Sequence, residues 1–117
     1  MPQRFEKAYR MLLDDVLETL PQCKIILCEP FILPAAQVKE QYEVWNRLVS
    51  EAQASIIRIA GDYPVLYIPL QEKFQKLASL REAEYWLWDG VHPTEAGHQM
   101  IANEWMAAAS PWVTNNA

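Results

Sequence analysis

The chain has 117 residues, of which 51% are hydrophobic and 21% charged, and this fits a single globular domain of modest size. Its net charge of −5 comes from interspersed acidic and basic residues, so it lacks the concentrated basic face that binds nucleic acid, and we expect no nucleic-acid partner. The apolar runs are too short to span a bilayer, and residues 1–4 (MPQR) lead into a charged helical pattern instead of a signal peptide. We therefore expect a cytoplasmic protein with no membrane span.

The first half of the chain predicts a helix, a strand, a loop and a second helix. Apolar residues spaced three or four apart over 5–20 predict an amphipathic helix that Pro21 ends. Residues 24–29 form a β-branched run without alternation, which is typical of a strand buried on both faces in a parallel sheet. A loop is predicted over 31–36, and helical spacing returns over 42–59.

The second half repeats this alternation. Residues 65–68 predict another short buried strand, residues 74–80 a third helix and residues 84–91 an aromatic loop. The last helix is predicted to start near Thr94, with a frayed end over 114–117. Helices that alternate with continuous apolar strands indicate an α/β fold with parallel pairing.

The predicted sheet is small for the helices that cover it. Two strands make a marginal sheet, whereas four helices carry apolar faces enough for a larger one. We therefore expect residues 1–117 to form one incomplete domain, and we expect a homo-oligomer, in which a second copy covers the exposed apolar surface.

Two cysteines, Cys23 and Cys28, bracket the first apolar run. In an extended strand they would lie roughly 16 Å apart at about 3.3 Å per residue, beyond the reach of a disulfide. We predict two reduced thiols in the core or at a strand end, rather than a redox or metal pair.

Residues 89–94 (DGVHPT) are the segment with the most chemical information. Asp89 lies three residues before His92 on a glycine-containing turn, so its carboxylate can fold back to accept a hydrogen bond from the imidazole Nδ1–H. That bond would leave Nε2 free to act as a base. Thr94 is predicted to cap the following helix. An ordinary turn with a histidine at a helix entry remains the alternative for so short a pattern.

The longer string over residues 89–98 (DGVHPTEAGH) resembles the last motif of the SGNH, or GDSL-type, hydrolases, where D-x-x-H-P supplies the acid and base of a Ser-His-Asp triad. Residues 5–13 are similar to the helix after that family's asparagine-containing motif. Residues 25–31 and 65–70 are similar to its fourth and fifth strands, and residues 85–87 to the lead into the catalytic turn. The resemblance thus covers nearly the whole chain as the C-terminal half of the family's domain.

The resemblance implies a three-layer α/β/α sandwich of flavodoxin-like type, here with about two parallel strands and four helices. It also implies that Asp89 and His92 are catalytic residues of a carboxylic-ester hydrolase, with no cofactor and no metal. The family's nucleophilic serine, in a Gly-Asp-Ser motif, and its oxyanion Gly and Asn have no counterparts here. We interpret the four serines as surface or helix-end residues; they are Ser50, Ser55, Ser79 and Ser110.

Four further side chains have open roles. Glu29 ends the first strand at the edge where ligands bind in α/β sheets, and it is a candidate for substrate contact, an ion pair or loop capping. Trp86 and Trp88 either line an acyl or sugar pocket or pack against the sheet edge. His98 has no partners for a metal site, and we interpret it as a solvent-facing or packing residue.

Two functions from different classes follow. The first is the acid–base part of an esterase that acts on acyl esters, with carbohydrate acetyl esters as one substrate class, when an N-terminal half supplies the serine. The second is a non-catalytic, truncated α/β module that self-associates through a strand edge and apolar helix faces.

Overall fold

The computed structural model describes residues 2–115, and that part of the chain contains two parallel strands and six helices. The order of helices and strands predicted from the sequence is confirmed, with two short helices added. The elements are α1 (Pro2–Thr19), β1 (Ile25–Cys28), α2 (Ala36–Glu40), α3 (Tyr42–Asp62), β2 (Val65–Ile68), α4 (Gln71–Ala78), α5 (Ala83–Trp86) and α6 (Glu95–Asn115).

The two added helices lie in segments predicted as loops or between elements. Helix α2 follows the loop after β1, and α5 is a single turn inside the predicted aromatic loop. Elements of four or five residues are too short to show a helical repeat of apolar residues, so the pattern could not reveal them. Helix α6 continues past Pro111 to Asn115. The fraying expected over 114–117 stays a prediction, and residues 116–117 lie outside the described part.

The two strands form the middle layer. They pair in parallel with Ile25 opposite Val65 and Cys28 opposite Ile68. Because successive side chains point to opposite faces, each face of the sheet has its own core. Leu27 on one face packs with buried residues of α1 and α3, and Ile68 on the other packs with Phe74 of α4 and with partly buried residues of α6. The layers are therefore α1/α3, sheet and α4–α6, which agrees with the predicted α/β/α sandwich.

Helix α1 is joined to α3 by ion pairs as well as by apolar packing. Arg58 of α3 donates to Glu6 Oε1 of α1 at 2.7 Å, and Arg10 of α1 donates to Asp62 Oδ2 of α3 at 2.9 Å. Within α1, Arg10 also donates to Glu6 Oε2 at 2.9 Å. The hydrogen bond from Arg58 and then the one from Arg10 lower the pKa of Glu6 to about 2. The Glu6 carboxylate is thus charged across the whole range in which the ordinary glutamate carboxyl titrates.

The described chain is extended and exposes more surface than a compact domain of its size. Its radius of gyration is 15.6 Å, against about 13 Å expected for this length. Its accessible surface is 7645 Å², against about 6,500 Å² expected for this mass. Part of the excess is apolar, because Met11 and Leu12 on α1 are 57% and 59% exposed and Leu48 on α3 is 51% exposed.

Both cysteines are free thiols, as predicted, but neither lies in the core. Cys23 belongs to the turn after α1, where its N–H donates to the Leu20 carbonyl oxygen at 3.0 Å. Cys28 is the last residue of β1, so only the strand-end part of the prediction holds, and only for this residue. No helix among residues 2–115 is long and apolar enough to cross a membrane.

Candidate active site

The residues between α5 and α6 form a tight turn, comprising residues 87–94 and called the Asp–His turn below. Leu87 and Pro93 pair across it in an antiparallel bridge. At its tip Gly90 has φ of +98°, a conformation that side-chain-bearing residues rarely adopt, and its N–H donates to the Leu87 carbonyl oxygen at 3.0 Å. The backbone of the turn is therefore closed by its own contacts.

The Asp89 carboxylate accepts three hydrogen bonds from the turn. Its Oδ1 accepts from the backbone N–H groups of His92 at 2.7 Å and Val91 at 2.9 Å, and its Oδ2 lies 2.5 Å from His92 Nδ1. Burial acts to raise the pKa of Asp89, but these two backbone bonds and the imidazole contact outweigh it and lower the pKa to about 2. The carboxylate is thus a fixed negative charge against the imidazole at any pH above about 4.

His92 presents its free nitrogen to solvent. Its side chain is 67% exposed, and within residues 2–115 no hydrogen bond reaches Nε2. Because Asp89 accepts at Nδ1, the neutral ring carries its proton there and leaves the Nε2 lone pair free. The ring of Trp88 stacks on the imidazole, with centroids 5.7 Å apart and planes inclined by 23°. The predicted contact between Asp89 and His92 is therefore present, and a stacked indole accompanies it.

Thr94 holds the exit of the turn, as predicted for a helix cap. Its hydroxyl donates to the Tyr85 carbonyl oxygen at 2.6 Å and accepts from the Gly97 N–H at 3.1 Å. At Gly97 an added Cβ would overlap the Trp86 carbonyl oxygen, so the first turn of α6 lies directly against the end of α5. This close approach explains why residue 97 has no side chain.

A distant segment supports the tip of the turn. The Leu33 N–H donates to the Gly90 carbonyl oxygen at 3.0 Å, and Val38 of α2 lies where a Cβ on Gly90 would fall. The Gln71 side chain makes two hydrogen bonds with Ile32, the residue before Leu33. Its oxygen accepts from the Ile32 N–H at 2.8 Å, and its nitrogen donates to the Ile32 carbonyl oxygen at 2.9 Å. The loop after β1 and helix α2 thus pack against the tip of the Asp–His turn and support it.

Glu29 has the capping role among the alternatives left open for it. Its Oε1 accepts from the backbone N–H groups of Leu70 at 2.9 Å and Gln71 at 2.8 Å. These are donors at the first turn of α4 that have no partner inside the helix. Glu29 therefore joins the end of β1 to the start of α4.

The two tryptophans of the predicted pocket have different environments. Trp86 is half-buried, and its Nε1–H donates to the Leu77 carbonyl oxygen at 3.0 Å, so it packs α5 against α4. Trp88 is 58% exposed and contacts His92. Only Trp88 lies at the Asp–His pair.

None of the four serines bonds to His92. Ser55 corrects the surface prediction: it is 0% exposed on α3, where it shares the buried face with Ile56 and Ile59, and its hydroxyl accepts from Arg58 at 3.2 Å. Ser50, exposed on α3, and Ser79, the C-cap of α4, fit the prediction. Ser110 does not, because it is half-buried and lies five residues before the end of α6.

Two further features lie outside the site. His98 is exposed on α6, and no group of three or more His, Cys, Asp or Glu side chains among the described residues is placed to hold a metal ion. A groove of about 570 Å³ runs along Tyr85, Thr94 and Gln99, but neither Asp89 nor His92 lines it.

Sequence reasoning missed three residues that contribute to the site. Leu33 and Val38 support the tip of the turn, and Trp88 stacks on His92. Leu33 and Val38 lie more than fifty residues from Gly90, and no local pattern connects them. The direction of the Trp88 side chain depends on the turn geometry, which neither a helical nor a strand repeat describes. The glycine at position 90 was the one available indication that another group approaches the tip closely.

Two comparisons find known proteins that are similar to this chain. The model of the GDSL-like lipase/acylhydrolase family matches residues 1–100. A crystal structure from Parabacteroides merdae, described as a GDSL-like lipase, superposes with a TM-score of 0.83 at 33% sequence identity over 94% of this chain. The chain spans 50% of the length of that protein. No curated protein matches the chain significantly.

Proposed function

The chain belongs to the GDSL-like lipase/acylhydrolase family, and on that premise we propose that it supplies the acid–base pair of a serine esterase. The observation that carries the proposal is the contact of Asp89 Oδ2 with His92 Nδ1 at 2.5 Å, with Nε2 unbonded and open to solvent. This is the arrangement that a serine nucleophile requires of its base. The substrates we propose are acyl esters, with acetylated carbohydrate as one class.

In the proposed reaction His92 acts through Nε2. It takes the proton of the serine hydroxyl as the serine oxygen attacks the ester carbonyl, and it gives that proton to the departing alkoxide as the acyl-enzyme forms. A water molecule then attacks the acyl-enzyme. His92 takes a proton from this water and gives it to the serine oxygen as the carboxylic acid leaves. Asp89 keeps the ring in the required tautomer and stabilises the imidazolium that exists between the two proton transfers.

The serine and the oxyanion donors are proposed to come from residues outside this chain. No serine of residues 2–115 bonds to His92, and the match covers only 50% of the relative from P. merdae. On this proposal residues 1–117 form one incomplete domain whose sheet and site are completed by an N-terminal half. Segments of the Gly-Asp-Ser and Gly-x-Asn-Asp types encoded directly before Met1 would support it.

Two assays test the proposal. The isolated chain is expected to hydrolyse p-nitrophenyl acetate no faster than buffer, because it lacks the nucleophile. Turnover above buffer that His92→Ala removes would mean that the nucleophile lies within the chain. When the chain is joined to an N-terminal half that carries Gly-Asp-Ser, activity should appear, and Asp89→Asn should lower kcat by about 10³- to 10⁴-fold. A joined Asp89→Asn enzyme with near-normal kcat would reduce the Asp–His turn to a structural element.

A second candidate function is that of a non-catalytic module that self-associates. The extended shape, the two-stranded sheet and the exposed Met11, Leu12 and Leu48 favour it. A second copy is the occupant we propose, since a symmetric dimer covers the same apolar patch on both chains at once and extends the sheet to four strands. Light scattering at micromolar concentration tests this: a cooperatively melting monomer would contradict it.

A further inference from the structure

We propose that Trp88 is a positioning residue for His92, which fixes the plane of the imidazole. The inference rests on the proposed function, because the orientation of His92 matters for catalysis only if His92 is the base. It concerns a residue that the triad chemistry itself does not include.

His92 has little other restraint. Its side chain is 67% exposed, so the core does not pack around it. The contact of Nδ1 with Asp89 fixes one atom of the ring. Because Nδ1 is adjacent to Cγ, through which the ring is attached, small coupled changes of χ1 and χ2 can keep the Asp89 contact and still tilt the ring. Such a tilt would move Nε2, on the far side of the ring, away from a serine hydroxyl. A second contact on the ring face removes this freedom.

Trp88 supplies that second contact. Its ring lies 5.7 Å from the imidazole, centroid to centroid, at 23°, which is within the range of offset stacking. The contact lies on the face of the imidazole, so it resists a tilt of the ring out of its plane.

The backbone holds Trp88 in place. Its N–H donates to the His92 carbonyl oxygen at 3.1 Å, so the two residues are direct neighbours across the Asp–His turn. The preceding residue, Leu87, is 0% exposed and packs in the core with Leu33 and Phe74. Trp88 is thus an exposed side chain on a firmly anchored backbone, as expected of a residue whose contact is with the site and not with the core.

NMR spectroscopy of the chain itself tests the inference. His92 and His98 are the two histidines, so a His98→Asn background leaves His92 as the one imidazole. In Trp88→Leu we expect the His92 ring protons to lose an upfield ring-current shift and the Nδ1–H to exchange with water roughly 2- to 10-fold faster. Trp88→Phe should restore most of both effects. The matched control is Trp105→Leu, which removes a 39% exposed tryptophan of α6 and should change neither.

The outcomes separate this inference from the proposed function. Unchanged Nδ1–H exchange in Trp88→Leu, or a phenylalanine variant no better than leucine, would overturn the role of Trp88 whatever the esterase assay gives. Because the spectra need no serine and no substrate, an inactive joined enzyme would refute the proposed function and leave the NMR result standing. In an active joined enzyme, Trp88→Leu should lower kcat roughly 2- to 10-fold with KM unchanged.

Discussion

The Asp–His turn and the two-stranded sheet differ in how completely the chain specifies them. The turn closes on itself: Asp89 accepts from Val91 and His92, and Thr94 caps α6. The sheet has two strands, β1 and β2, paired along one edge each. The hydrogen bonds that shape the turn are therefore mostly local, whereas the sheet depends on the single pairing of β1 with β2.

The largest effect should come from filling the close approach behind the turn. Gly97→Ala places a methyl group against the Trp86 carbonyl oxygen, where backbone must move, and we expect a loss of about 2–3 kcal/mol in the free energy of unfolding. Gly61→Ala is the matched control, because nothing lies within 4 Å of its added Cβ on α3, and it should stabilise by about 0.5–1 kcal/mol. Urea denaturation of the two variants measures both. Equal effects would mean that the turn is not tightly packed on α5.

The next effect concerns the proposed self-association through exposed apolar residues, which would extend the two-stranded sheet. Leu12 is 59% exposed on α1, and burying such a side chain in a dimer is worth about 1.5–3 kcal/mol. Leu12→Lys should therefore weaken self-association at least tenfold. Leu80→Lys is the control, since Leu80 is 74% exposed but follows α4 on the opposite face of the sheet. Sedimentation equilibrium distinguishes them, and equal weakening by both would place the contact elsewhere.

The smallest effect should be the pH dependence of the α1–α3 contact. Because the pKa of Glu6 is lowered to about 2, its ion pairs contribute stability that is fully present above about pH 4.5 and is lost as the pH falls toward 2. Glu6→Gln should lower Tm at pH 7, and the difference from the wild type should disappear near pH 2. A difference that stays constant with pH would show that charge is not its cause.

The same contrast explains which features were predictable. The parallel strands were predicted from short continuous apolar runs, and helices α1 and α3 from apolar residues spaced three or four apart. The contact of Asp89 with His92 was predicted from their separation of three residues and from the glycine between them. The burial of Ser55 was not predictable, because it depends on which face of α3 meets the core. The contacts of Gly90 with Leu33 and Val38 were not predictable either, because they depend on the tertiary fold.

The most direct test of the central claim is the tautomer of His92, measured by ¹⁵N NMR on the neutral ring in a His98→Asn background. If Asp89 fixes the imidazole, the wild-type ring should carry its proton on Nδ1 and show an unprotonated Nε2. Asp89→Asn should shift the population toward the Nε2–H form while the fold is retained. A wild-type ring protonated at Nε2, or one that Asp89→Asn leaves unchanged, would contradict the claim that the chain carries a preformed acid–base pair.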